Sequence, residues 1–235
     1  MDRLGGRENV SQGMAYNVDL VLCIDVTGSM TPIIDEVKAN ALKLHGDIVD
    51  NLASKDKQVA ELRVAVVPFR DVRHDGGAAL SLSPFFTLPD EESALADFVG
   101  GLSASGGADA PESGLHAVAT AVHAPWTAGG DRRRHIIVLW TDAPTHDLSD
   151  GSYPSGLQTG APSTFDELTD EWEADQGSLQ LESNARRLIL FAPDDPSWNQ
   201  ISDSWEQTVH VPSQAGKGLA DVDYSTIIDT IGNSV

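Results

Sequence analysis

Three short segments of the chain collect hard oxygen donors. Asp25-Val26-Thr27-Gly28-Ser29 sets a carboxylate and two hydroxyls on alternate residues, and Thr141-Asp142-Ala143-Pro144 follows another apolar run farther on. Between them, Gly106-Gly107-Ala108-Asp109-Ala110-Pro111-Glu112 is a glycine-rich turn with two acids. No set of Cys or His accompanies these donors, so the ion they favour is Mg²⁺, with Mn²⁺ or Ca²⁺ as alternatives, rather than zinc. In Asp25-x-Thr27-x-Ser29, alternate side chains of a loop leaving a strand can turn toward one centre. Hydroxyls are neutral ligands. An ion held by hydroxyls, water and a few carboxylates therefore keeps residual positive charge and displaceable waters. Such a centre suits capture of another protein's Asp or Glu. The same motifs supply no general base or nucleophile with an orienting partner, so they do not read as an enzyme.

Convergence of three distant segments requires a scaffold. Val18–Ile24, Val64–Phe69, Ile136–Trp140 and Leu188–Ala192 are short, nearly continuous apolar runs rich in β-branched residues. They read as strands buried on both faces of a parallel sheet. Pro68, lacking an amide donor, belongs near a strand end. Helical patterns lie between them. Residues 31 to 55 place Ile33, Ile34, Val37, Ala41, Leu44, Ile48 and Leu52 on one stripe, with Thr31 as the N-cap. Asp90 caps a second stripe of Leu95, Phe98, Val99 and Leu102. Leu115, Val118, Ala119 and Val122 mark a third, and Ile227, Ile228, Ile231 and Val235 a last one. Residues 79–88 read as a shorter antiparallel strand. The expected fold is α/β: a doubly wound, mostly parallel central sheet with one antiparallel edge strand and helices on both faces. In such sheets ligands sit at the carboxyl ends of strands, where all three oxygen-rich segments fall.

Charge sets the outer bounds. Lys and Arg number 15 against 36 Asp and Glu, a net −21. A surface that acidic disfavours nucleic acid and anionic membranes as partners. A 40% hydrophobic share supports a real core. The one cysteine, Cys23, allows no internal disulfide, which points to a reducing compartment. The polar N-terminus has no signal-peptide core, so a cytoplasmic protein is expected. Residues 1–16 read as a polar extension and 17–235 as a single domain. An inserted loop of about 143–163, rich in Gly, Pro and Ser, is either functional surface or mobile.

At its oxygen-rich segments the chain resembles the von Willebrand factor A (vWA) domain family. The run ending in Ile24-Asp25 and followed by Val-Thr-Gly-Ser-Met is similar to that family's metal-ion-dependent adhesion site, Asp-x-Ser/Thr-x-Ser. Gly-Gly-Ala-Asp109-Ala-Pro-Glu112 resembles the second metal loop in an Asp-x-Pro-Glu version, and Trp140-Thr-Asp142-Ala-Pro resembles the third. The likeness covers the chain from about Asn17 to the last helix. It implies a Rossmann-like fold, with Asp25, Thr27 and Ser29 binding the ion and Asp142 acting directly or through water. Asp109 stands where many members carry threonine, and Glu112 is the alternative second-loop ligand. It also implies a protein partner whose acidic side chain completes the metal site.

Other features take plainer readings. His74 and His146 have no nucleophile beside them in sequence, and Asp71 is a supporting residue at the end of the second strand. Trp172, Trp198 and Trp205 read as packing, and Gly216-Lys217-Gly218 as a surface turn. The acids of 166–175 form a solvated helix face. A competing function is a Mg²⁺-dependent phosphatase or phosphotransferase of the haloacid-dehalogenase kind, with Asp25 as nucleophile. Such enzymes usually carry a second Asp where Thr27 stands here.

Overall fold

A computed structural model describes residues 14–107, 110–128, 132–157, 160–174, 179–213 and 224–235. Its strands are β1 (Met14–Asp25), β2 (Lys57–Phe69), β3 (Phe86–Leu88), β4 (Arg133–Trp140), β5 (Arg186–Pro193) and β6 (Thr208–Ser213). Its α-helices are α1 (Ile34–Ser54), α2 (Glu92–Gly100), α3 (Gly114–Val122), α4 (Phe165–Glu173), α5 (Pro196–Ser204) and α6 (Tyr224–Ser234). The sheet order is β3-β2-β1-β4-β5-β6. All neighbours run parallel except β3, which pairs antiparallel with β2 at the edge. The expected doubly wound α/β architecture is the one observed. After β1 the chain builds outward through β2 and β3, then returns to lay β4 on the other side of β1. The β1/β4 seam is thus the topological switch point, where such sheets open a crevice.

Why β1 reads as unbroken apolar sequence follows from its two-sided burial. Val18, Leu20, Leu22 and Ile24 pack on one face with residues of α1, α2 and α6, such as Leu44, Leu95 and Ile231. Val21 and Cys23 pack on the other with α3, α4 and α5, among them Val118, Trp172 and Trp198. Each large aliphatic side chain so enclosed contributes roughly 1.5–3 kcal/mol. Asp19 is the polar interruption on the second face. Its carboxylate accepts from Arg63 Nε at 2.8 Å and from the Thr127 amide at 2.7 Å, and the Arg63 guanidinium lies 4.5 Å from the Phe85 ring centre. Burial without those donors would be costly.

Several boundaries differ from expectation. β1 begins at Met14, ahead of the expected run Val18–Ile24. α1 starts at Ile34, and Thr31 instead donates its hydroxyl to the Gly28 carbonyl within the preceding turn. Glu91, not Asp90, stands before α2, and its carboxylate accepts from the Thr87 amide. β3 occupies only the last part of the 79–88 stretch, with Leu80 bridged singly to Phe69. Pro68 sits next to the end of β2, as its missing amide requires. Trp172, Trp198 and Trp205 are all buried. The 143–163 loop turns inward: Ala143, Thr145, His146, Leu148 and Tyr153 are buried, so its polar composition hides a packed anchor. Gly216-Lys217-Gly218 lies outside the described residues. Among those residues no helix is long and apolar enough to cross a membrane.

Gly114, at the start of α3, is a buried glycine with no room for a side chain. A Cβ there would lie 2.4 Å from Trp198 Cη2 and 2.7 Å from Cζ2, and the indole is fully buried. Gly114→Ala is expected to cost ~1–2 kcal/mol by overpacking, read as a lower midpoint in urea with an unchanged m-value.

Candidate functional site

β1 ends at Asp25 because the chain must leave the sheet there: Val26 still donates to the Phe69 carbonyl, and a short 3₁₀ turn follows at Gly28–Met30. Asp25 shapes that exit. Its Oδ1 accepts from the Thr27 amide at 2.9 Å and the Thr27 hydroxyl at 2.6 Å, and its Oδ2 accepts from the Thr141 hydroxyl at 2.6 Å. Thr141 and Asp142 leave the adjacent strand β4. The Ser29 hydroxyl donates to Asp142 Oδ1 at 2.9 Å, and the Thr27 and Ser29 hydroxyl oxygens stand 3.1 Å apart. Asp25, Thr27, Thr141 and Asp142 are buried, whereas Ser29 is exposed and opens the group to solvent. The structure thus brings together four of the residues singled out in the sequence, Asp25, Thr27, Ser29 and Asp142.

A proton count shows what this arrangement lacks. A hydroxyl carries one hydrogen. Thr27 and Ser29 thus have two hydroxyl hydrogens for three oxygen–oxygen contacts, to Asp25, to Asp142 and to each other, so one of the three brings lone pairs together. Hard oxygens set out in this way fit a hard dication.

Glu112 faces the same region from the second loop. Its backbone is stitched to the segment after Asp142: its amide donates to the Pro144 carbonyl at 2.9 Å, and its carbonyl accepts from the His146 amide at 2.7 Å. The side chain is buried and, among the described residues, Oε2 has no hydrogen-bond partner. Gly107 explains how it fits. A Cβ there would lie 2.7 Å from Glu112 Oε1 and 3.1 Å from Thr27 Cβ, and the backbone has φ +69°. Only glycine leaves that gap open. Burial pushes the Glu112 carboxyl up to about 8, helped by the charges of Asp25, Asp71, Asp75 and Asp142. Asp25 is raised to about 6, chiefly by burial, against the opposing bonds from Thr141 and Thr27. Both shifts come first from burial, and the neighbouring carboxylates add to it.

Asp109, the other acid of that loop, lies outside the described residues. Among the described residues, no three His, Cys, Asp or Glu side chains gather as a metal-holding group. The donors that meet are two aspartates and two hydroxyls, with Glu112 across Gly107.

Beside this group sits a second polar cluster that sequence reasoning resolved only in part. Asp71, buried at the end of β2, has His74 Nδ1 at 2.5 Å and accepts from the Arg73 amide at 2.8 Å. His146 Nε2 stands 3.6 Å from its other oxygen. Burial would raise Asp71, but those bonds and the neighbouring imidazoles hold it below the usual carboxylate range. His74 and His146 thus face a carboxylate and no nucleophile. Thr141, Gly107 and Asp75, whose Oδ2 accepts from the Gly107 amide at 2.8 Å, were not singled out as site residues. The signal for Thr141 was present: a hydroxyl at the strand end, one residue before Asp142.

No family model and no curated protein matches the chain. Among solved structures it is similar to the pilus adhesin SpaC from Lactobacillus rhamnosus GG, in two crystal structures, one of them in an open conformation. Each superposes with a TM-score of 0.51 at 12% identity over 92% of this chain. The chain spans only 30% of the adhesin's length, and at that identity the likeness is one of fold.

Proposed function

We propose that the chain is a vWA-type, divalent-cation-dependent protein-interaction module. Asp25, Thr27, Ser29 and Asp142 would hold Mg²⁺, with Mn²⁺ or Ca²⁺ as substitutes, and Glu112 or Asp109 would supply the second-loop oxygen. The observation that carries the reading is the pair of hydroxyl oxygens 3.1 Å apart between two aspartates, three oxygen contacts served by two hydroxyl hydrogens. When bound, the ion supplies a Lewis-acidic position for an oxygen ligand. The chain's residues do the rest. Asp25 fixes Thr27, Thr141 fixes Asp25, and exposed Ser29 marks the side from which a partner's carboxylate reaches the centre. The net −21 keeps nucleic acid and anionic membranes away, and the single, buried cysteine agrees with a cytoplasmic setting. By its description the structural neighbour is an adhesin, which agrees with a role in binding. The phosphotransferase alternative asks Asp25 to attack substrate. Asp25 is fully buried, and Thr27 stands where such enzymes usually carry a second Asp.

Calorimetric titration of the purified chain with MgCl₂ or MnCl₂ tests the reading. One ion per chain is expected. Ser29→Ala, at an exposed position that costs the fold little, should weaken binding roughly 10-fold or more. A protein partner should then be retained in Mg²⁺ and released by EDTA in the wild type, but not retained by Ser29→Ala. Absence of cation binding, or equal binding by wild type and Ser29→Ala, overturns the proposal.

A further inference from the structure

The cation centre leaves one buried titratable group unexplained. His116, in the first turn of α3, has no solvent exposure, and among the described residues neither ring nitrogen has a hydrogen-bond partner. Its ring packs against Tyr153, with centroids 4.9 Å apart, and the Tyr153 hydroxyl donates to the Pro162 carbonyl. Gly151 closes the other side: a Cβ there would lie 2.3 Å from Val72 Cγ2 and 3.6 Å from His116 Nε2. His116 is therefore the surface on which the segment after Asp142 is seated. That segment is tied to α3 and its approach by the Glu112 pairing and by the Leu115 amide donating to Thr145 Oγ1 at 2.8 Å.

We infer that His116 is an acid-sensitive latch, and that a proton on its ring releases residues 146–153 from α3. A charged imidazole here would need a carboxylate, and among the described residues none bonds the ring. Asp71, from the loop after β2, is already bonded by His74 and the Arg73 amide. Asp147 accepts from the amide and hydroxyl of Ser149. Asp150 is half-exposed and lies 3.9 Å from His146 Nδ1. His146, the remaining titratable neighbour, opposes a second positive charge. A proton is thus accommodated only when the ring reaches water. Burial accordingly drives His116 down from its ordinary 6.5 to about 4. Because residues 144–146 hold the Glu112 backbone, opening also loosens the second loop of the cation centre. Only that consequence rests on the proposed function; the latch does not.

Hydrogen exchange of the full chain in EDTA, at pH 7.5 and pH 5.0 and corrected for intrinsic rates, tests the latch without any cation. A group titrating near 6.5 when released and near 4 when held multiplies opening by roughly 30-fold at pH 5. Residues 146–153 should lose protection by about that factor, while β1 and β4 remain protected. His116→Phe keeps a ring against Tyr153 without a titratable nitrogen and should abolish the pH dependence. It also separates the effect from His135, buried at the opposite end of β4. Equal loss in His116→Phe, no loss in the wild type, or loss shared by β1 and β4 overturns the latch. If His116→Phe does not fold, ring-proton NMR of the wild type decides. Amide shifts of 146–153 that follow the His116 titration support the latch, and amides that ignore it overturn it.

Discussion

At pH 7.5 and matched ionic strength, saturating Mg²⁺ raises the melting temperature of the wild-type chain by roughly 5–10 °C, and Asp25→Asn abolishes the rise. An ion bound only by the folded state stabilises it by about 2.7 kcal/mol at a hundredfold excess over its Kd. For a chain of this size each kcal/mol moves the midpoint by roughly 2–4 °C. Asparagine preserves the shape and an acceptor for Thr27, but removes the charge from the carboxylate that organises the turn after β1. Matched ionic strength matters because a net −21 draws divalent ions to the surface without any site. Differential scanning fluorimetry or calorimetry reads the shift. An equal rise in wild type and Asp25→Asn would show that Mg²⁺ acts on the surface alone.

Glu112→Gln should have opposite effects with and without the ion. The Glu112 carboxyl is raised in the folded state from an ordinary 4.5 to about 8. A raised carboxyl favours folding below its unfolded value, and that contribution is lost as pH rises through the folded one. In EDTA, wild-type stability should therefore fall between about pH 4.5 and 8. Asp25 adds a slope of the same sign between 3.8 and about 6. His116 acts in the reverse sense, costing stability as pH falls from 6.5 toward 4. Melts between pH 6.5 and 8.5 isolate Glu112. There, Glu112→Gln should flatten the slope and stabilise the cation-free chain by up to about 4–5 kcal/mol at pH 8.5, while shrinking the Mg²⁺ shift. A variant less stable than wild type in EDTA at pH 8.5 would mean that Glu112 is not held against its charge.

The pattern Asp25-x-Thr27-x-Ser29 was legible because it is local: an apolar run ending in Asp fixes where the strand stops and where alternate side chains turn. Asp142 was legible at one remove. Its contact with Ser29 spans 113 positions, but two strands on either side of a switch point bring their ends together. Glu112 was harder to place. Its carboxyl is fixed by a backbone pairing with 144–146 and by a gap at Gly107, neither of which has a sequence period. The 143–163 segment misled through composition, since Gly, Pro and Ser describe its bends but not the burial of Leu148 and Tyr153. Thr31 and Asp90 were natural caps that lost to Ile33 and Glu91, because the preceding turns set where the first helical amides fall. β6 went unanticipated: a six-residue edge strand with half-buried and exposed side chains carries little apolar signal.

β1 and β4 are in register with Ile24 opposite Trp140, so Asp25 and Thr141 leave the sheet side by side and Asp142 follows one step later. The distance between the two aspartates is therefore inherited from the fixed gap between neighbouring strands and owes little to the loops above. Loop lengths can drift, and whole crossover segments can be exchanged between homologues or by grafting, without retuning the centre. A single-residue insertion or deletion inside β4 would instead turn its last side chains to the opposite side of the sheet and dismantle the centre at a stroke.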